Sequence, residues 1–237
     1  MVQTLKPVQK NRLHEEIIIQ IQKNIFKGDY LEGEKLPPER ILAEHLNVNR
    51  ATVREALKKL EILGLIDIRH GDGIYVKDYL KSANLDLIKD LIYGKDEINI
   101  TVMNNLLEVR RILVPEIASI AATRRSNEDL AHIHTIISNQ SLPVQDRDVE
   151  LHAAIARASK NLLYIFMHNF FTEVFIDFGY LYFNIDKNRK ISEKFHRQIY
   201  TAIKEKKADD ARRIMKDVLL FAEEQTLHAI KTTKNTK

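Results

Sequence analysis

The sequence predicts a small α+β domain ending in a β-hairpin, followed by an all-α antiparallel helical bundle. Two observations carry this. Five of the seven glycines, Gly28, Gly33, Gly64, Gly71 and Gly73, fall early, among short elements separated by turn signals. After Gly94 the chain becomes long apolar-periodic stretches with almost no breakers, the texture of a bundle. Composition agrees: 237 residues, 44% hydrophobic and 30% charged, are too long and apolar for a disordered tail and too poor in Gly and Pro for a fibrous protein. The absence of Cys excludes disulfide frameworks, thiol nucleophiles, iron–sulfur clusters and Cys-based zinc sites. Met1 to Lys10 show no apolar signal segment, and no run approaches the ~18 to 20 apolar residues of a membrane span, so a cytoplasmic chain is expected.

In the first domain, Leu13, Ile17, Ile18, Ile21 and Ile25 recur at helical spacing from Asn11 to Lys27, and Gly28 stops the helix. Asp29 to Leu36 reads as a loop. Pro37-Pro38 suits a helix start, and Glu39 to Leu46 is a short helix with Ile41, Leu42 and Leu46 inward. Asn49 caps a third helix that buries Val53, Leu57 and Leu60 and ends at Gly64. Leu65 to Arg69, the turn His70-Gly71-Asp72-Gly73 and Ile74 to Lys77 form the hairpin.

This order of elements is that of a winged helix-turn-helix, with the third helix as the reading helix. Asn49, Arg50, Thr52 and Arg54 lie in its exposed first turns. Arg can take both acceptors of guanine or grip phosphate, and Asn and Thr can contact base edges or backbone. A tip of His and two Gly lets backbone approach a groove without Cβ clashes. The bland alternative is a three-helix domain with solvated arginines. The formal net charge of +4 does not separate the two, since a soluble surface carries such an excess for solubility alone.

The runs Leu36-Pro37-Pro38-Glu39-Arg40, Leu42-Ala43, Val48-Asn49-Arg50-Ala51-Thr52-Val53-Arg54-Glu55-Ala56-Leu57 and His70-Gly71-Asp72-Gly73-Ile74-Tyr75-Val76 resemble the DNA-binding domain of GntR-type bacterial transcription regulators. The resemblance implies that Arg40, Arg50 and Arg54 hold phosphate or guanine. It implies that Asn49 and Thr52 assist, and that His70 and Gly71 place the wing tip in the minor groove. It also implies a homodimer on a palindromic operator, where protein two-fold symmetry matches that of the site.

Beyond it, Asn84 to Tyr93 reads as a connecting helix and Gly94 to Ile100 as a loop. Bundle helices are predicted at about 101–123, 127–138, 145–159, 161–182, 188–206 and 208–230, the first kinked at Pro115. The expected domains are thus 9–78, a linker 79–100, and 101–230. Polar residues interrupt the apolar stripes. Asp148 shares a face with Val144, Leu151 and Ile155, with His152 one turn on; His196 lies beside Phe195, Ile199 and Ile203; Arg110 lies with Leu106, Leu113 and Ile117. Burying such charges unpaired costs several kcal/mol. Metal coordination by Asp148, His152 and His196 would offset this, as would an anion held by Arg110, while a plain ion pair and a hydrogen-bonded core histidine are the simpler accounts.

Glu108-Val109-Arg110, Asp148-x-x-x-His152, Asn161 and His196 with Ile199 resemble the FCD effector domain of the FadR subfamily of these regulators. The resemblance implies a divalent metal held by one Asp and three His beneath a small carboxylate effector, with Arg110 and Asn161 at the effector. Here the last His is replaced. Met215-Lys216-Asp217 leads to Val218, on a face with Ala211, Met215 and Ala222, and Asp217 points roughly 100° away. Either three ligands retain a metal, Zn²⁺ first with Ni²⁺ or Mn²⁺ as alternatives, or the metal is lost and the polar residues bind effector directly. Nine of the seventeen aromatics fall between Tyr164 and Phe183; most read as core and dimer packing, and some as the lining of a pocket for an effector with an apolar portion.

The function expected is therefore an effector-responsive, sequence-specific DNA-binding regulator, a homodimeric repressor released by a small organic carboxylate, and not an enzyme. A metal-dependent hydrolase lacks a convincing base, nucleophile or oxyanion donor beside the ligands. A nucleoid-type architectural protein would leave the polar bundle unexplained.

Overall fold

A computed structural model describes residues 12–92 and 99–234. Tyr93 and most of the loop predicted at 94–100 lie outside them, as does Asn11. The chain divides into two compact units between Met103 and Asn104.

The first unit opens with α1 (Arg12–Lys27), whose Ile17, Ile18, Ile21 and Ile25 are buried against α3 (Arg50–Ile62). Leu13, expected inward, is 53% exposed. α1 ends as its sequence requires, with Gly28 at φ 81°. The following segment is not all loop, because Lys35–Leu36 forms a short strand β1. α2 (Glu39–His45) starts after Pro38 and buries Leu42 and Ala43, leaving Ile41 and Leu46 half-buried. Asn47 takes φ 51° in the α2–α3 turn, a left-handed conformation that Asn tolerates better than most residues.

α3 buries Val53, Ala56, Leu57 and Leu60 and stops at Gly64. There φ is 79°, and a Cβ would lie 2.2 Å from the Ser82 carbonyl oxygen, so only glycine fits. β2 (Ile66–Arg69) and β3 (Gly73–Val76) pair antiparallel through a three-residue turn with Gly71 at φ 76°. β1 adds to β3, giving the order β1-β3-β2. This is the predicted winged helix-turn-helix, with a third strand.

Residues after the wing pack on this unit. In α4 (Tyr79–Ser82) the Ser82 hydroxyl donates to the Gly64 carbonyl (2.6 Å), the Asn84 amide donates to the Ile62 carbonyl (2.9 Å), and α5 (Asp86–Ile92) buries Leu87 and Ile92.

The second unit is all-helical: α6 (Ile100–Arg124), α7 (Asn127–Ser138), α8 (Val144–Ala158), α9 (Leu162–Phe175), α10 (Gly179–Phe183), α11 (Asp186–Lys204) and α12 (Ala208–Lys234). α6 runs unbroken through Pro115. Ser126 and Asp129 form a capping box at α7, and Asn161 caps α9. The helix predicted at 161–182 is divided by a 3₁₀ turn at Ile176–Phe178 just before Gly179, a poor helix former. Leu151, Ile155, Phe171, Ile199, Ile203, Ala211 and Met215 are buried, whereas Val218 and Ala222, expected on that inward face, are only half-buried. Among the described residues no helix is long and apolar enough to cross a membrane.

Candidate nucleic-acid interface and buried polar cluster

In the first unit, Arg40, Asn49, Arg50, Arg54, His70 and Gly71 are exposed and Thr52 is half-buried. Asn49 does structural work. Its Oδ1 accepts from the Thr52 N–H (2.8 Å) and from Thr52 Oγ1 (3.0 Å), satisfying an N–H that the first helical turn would orphan. Arg54 grips Glu39 through Nη2 (2.9 Å) and Nε (3.2 Å), and Arg40 Nη1 pairs with Glu44 (2.6 Å). Arg50 makes no ion pair among the described residues. Exposed pairs of this kind contribute roughly 0.2 to 1 kcal/mol, so phosphate or guanine can replace the glutamates cheaply.

The wing holds an arrangement that sequence spacing does not reveal. Asp72 accepts from the Tyr75 hydroxyl (3.0 Å) and from Lys35 Nζ (3.4 Å), while the Arg69 guanidinium lies 4.3 Å from the centroid of the Tyr75 ring. The Tyr75 hydroxyl, helped by Lys35 and Arg69, holds the Asp72 carboxyl below its ordinary pKa. The acid at the turn is thereby paired with Lys35, while Arg69 pairs with Asp67 at 2.9 Å and acts on Asp72 only through space. Lys35 arrives from β1, so no local pattern announces it.

In the second unit, Asp148 and His152 of α8, His196 of α11, Arg110 of α6 and His168 of α9 form one electrostatically coupled cluster. His196 Nε2 lies 2.8 Å from Asp148 Oδ1, and His152 Nε2 lies 3.7 Å from Oδ2. The His152 ring faces His168, with centroids 6.3 Å apart and planes 4° from parallel. The Arg110 guanidinium lies 5.0 Å from the centroid of the Phe175 ring. Burial pushes His152 down to about 4, against the attraction of Asp148, and His168 down to about 3, with His152 and Arg110 adding to the effect. Burial also raises Asp148, but the His196 hydrogen bond and the surrounding positive charge outweigh it, leaving a carboxylate below its ordinary range. Desolvation lowers Arg110 to about 10, so it stays charged at neutral pH.

Arg110 makes no hydrogen bond or ion pair among the described residues, although Asp148 and Glu223 act on it through space. Its five donors are uncommitted. Glu223 pairs instead with Arg111 at 3.5 Å through Oε1, and its buried Oε2 has no hydrogen-bond partner among the described residues. His168, absent from the site residues expected from sequence, sits on an aromatic stripe with Tyr164, Phe171 and Phe175. A lone imidazole on that stripe is its only signal.

The expected metal ligands Asp148, His152 and His196 do converge, but as a hydrogen-bonded pair with a neighbour. An ionised carboxylate only accepts, so His196 Nε2 carries the hydrogen and has no lone pair for a cation. His196 Nδ1 is buried and has no hydrogen-bond partner among the described residues. Among the described residues no group of three or more His, Cys, Asp or Glu is disposed to hold a metal ion. The residues therefore do not fit a preformed metal centre. Asn161 is also not drawn into the cluster: its Oδ1 accepts from the Leu163 N–H (3.0 Å) as the cap of α9.

Comparison with known proteins agrees with both halves. Residues 13–76 match the family described as bacterial regulatory proteins, gntR family, and residues 105–221 match the FCD domain. The chain is 41% identical over 124 residues to the HTH-type transcriptional regulator Mce2R of Mycobacterium tuberculosis, covering 52% of each chain. It is 35% identical over 167 residues to the Uxu operon transcriptional regulator of Escherichia coli, covering 65% of this chain and 61% of the relative. The matches thus span about half to three-fifths of these relatives' own length. The structure of Lar, described as controlling the expression of the Listeria monocytogenes agr system and mediating virulence, shares the fold with a TM-score of 0.57 at 17% identity, covering 94% of this chain and 99% of that one. The matched families and relatives are transcription regulators, not enzymes. With a winged helix-turn-helix matching one family and a helical bundle matching the other, the chain belongs to the gntR family of bacterial regulatory proteins and carries an FCD effector domain.

Proposed function

We propose that this chain is an effector-responsive transcription regulator that represses by binding a palindromic operator as a cytoplasmic homodimer and is released by a small organic carboxylate. The observation that carries the effector reading is Arg110, a desolvated guanidinium with uncommitted donors, set among imidazoles that burial keeps neutral. Such a group suits bidentate capture of a carboxylate in a low-dielectric interior. Asn161 contributes by fixing the start of α9, which carries His168.

On DNA, Arg50 and Arg54 read guanine or phosphate, with Arg40 on phosphate, Asn49 and Thr52 shaping the helix start, and His70 and Gly71 at the minor groove. Support for self-association comes from exposed apolar side chains at helical spacing, Val109 and Ile112 on α6 and Leu162, Leu163 and Phe166 on α9. Effector binding shifts the population between placements of the DNA-binding domains that match paired half-sites and placements that do not. The test is operator selection from random duplexes with purified protein, followed by release with a carboxylate panel. Absence of sequence preference over competitor DNA at moderate salt overturns the reading.

A further inference from the structure

The resemblance to the FCD effector domain implies a divalent metal, but among the described residues no group of three or more His, Cys, Asp or Glu is disposed to hold one. We infer that its buried cluster takes its carboxylate ligand without a resident metal, with Arg110 supplying the positive charge that a metal ion would otherwise supply. The inference rests on the effector reading above, but its principal test does not depend on it.

Three observations converge. First, Asp148 Oδ1 and His196 Nε2 lie 2.8 Å apart, so two of the three candidate donors spend their inward-facing atoms on each other. A cation entering between them would have to break this charge-assisted bond and strip the hydrogen from Nε2. Second, the position where the subfamily resemblance places the fourth donor is Val218, whose side chain cannot ligate, and its neighbour Asp217 is exposed. His168 does not fill the gap: its Nε2 is engaged with Thr172 Oγ1 at 3.2 Å, and its ring lies parallel to His152. Third, the charge that would draw a carboxylate is already present. Arg110 is braced against Phe175 at 5.0 Å and makes no hydrogen bond to protein among the described residues. A planar guanidinium offers a carboxylate two parallel N–H donors, and the Asp148 carboxylate, which acts on Arg110 through space, offsets its charge when no ligand is bound.

The experiment is metal analysis of the full-length protein, purified without chelator from cells grown with added zinc, alongside thermal melts with Zn²⁺, Ni²⁺ or Mn²⁺ alone and with EDTA. Metal well below one equivalent per chain, on the order of a tenth, and melting temperatures that neither the ions nor EDTA move, are expected. Near-stoichiometric metal surviving desalting overturns the inference, as does a metal-induced rise in melting temperature that His152→Ala abolishes. In a second arm, acetate, lactate, succinate and citrate are screened by thermal shift in EDTA. At least one is expected to stabilise the protein, with the shift lost in Arg110→Gln. A panel member that stabilises only after metal is restored overturns the inference. Metal content requires neither operator nor effector, so it can fail while the transcription reading stands, and the reverse.

Discussion

Arg50→Ala, Arg54→Ala and Glu39→Gln form the sharpest probe of the reading helix, because the two arginines begin in different states. Arg50 has no ion pair to give up, so removing it forfeits a whole base or phosphate interaction, about 1 to 3 kcal/mol or roughly 5- to 150-fold in operator affinity. Arg54 must first leave Glu39, to which it is bound at 2.9 and 3.2 Å with the two side chains 56% and 30% exposed. That release costs up to about 1 kcal/mol, so Arg54→Ala should cost correspondingly less than Arg50→Ala. Glu39→Gln frees Arg54 and should tighten operator binding by up to about five-fold, an effect that disappears in the Arg54→Ala background. Fluorescence anisotropy with a labelled operator at several salt concentrations measures wild type, the three single variants and the Glu39→Gln/Arg54→Ala double variant. An arginine that neutralises one phosphate should, when replaced by Ala, also reduce the slope of log affinity against log salt by about 0.9. Affinity within two-fold of wild type for Arg50→Ala refutes the assignment of the reading helix. Weaker binding by Glu39→Gln refutes competition and makes Glu39 the residue that orients Arg54.

Further outcomes follow from single interactions. Asn49→Ala removes the cap of α3 and should cost about 1 kcal/mol of stability by urea denaturation, while Asn49→Asp retains it; equal loss in both would disconnect stability from capping. Gly64→Ala puts a Cβ against the Ser82 carbonyl at φ 79° and should lower the melting temperature by several degrees, and an unchanged melt would be evidence against the close approach. His152 and His168 have folded pKa values depressed to about 4 and about 3, below an unfolded value near 6.5, so the unfolded chain binds more protons in that window. Their contribution is fully present above about pH 6.5 and is lost as pH falls toward their folded values. His168→Leu should flatten that part of a plot of melting temperature against pH, and an unaltered slope would place the acid sensitivity elsewhere.

The winged helix is legible in the sequence because its signals are local and independent. Gly28, Asn49 and Gly64 each mark a helix end by backbone conformation or capping, which a few neighbouring residues decide. β1 is not legible: Lys35 and Leu36 carry no period, and their strand exists only because β3 presents a free edge across some 40 positions of sequence. The split of the helix at 161–182 is similarly hidden, since aromatic periodicity continues straight through Gly179.

The cluster divides the same way. Asp148 with His152 can be read from one-turn spacing, and Arg110 and His196 from polar interruptions of apolar stripes, because helical periodicity dictates which side chains face inward. Which atoms meet is beyond sequence, since α6, α8, α9 and α11 approach one another only through packing. Tertiary structure alone paired His196 with Asp148, brought His168 against His152 and left Arg110 without a hydrogen-bonding partner among the described residues. The sequence by itself determined the architecture and the polar residues available to it, through periodicity and caps. The tertiary structure decided which donors are already spent and which remain for a ligand, because hydrogen bonds and desolvation depend on distances between helices that no local pattern encodes.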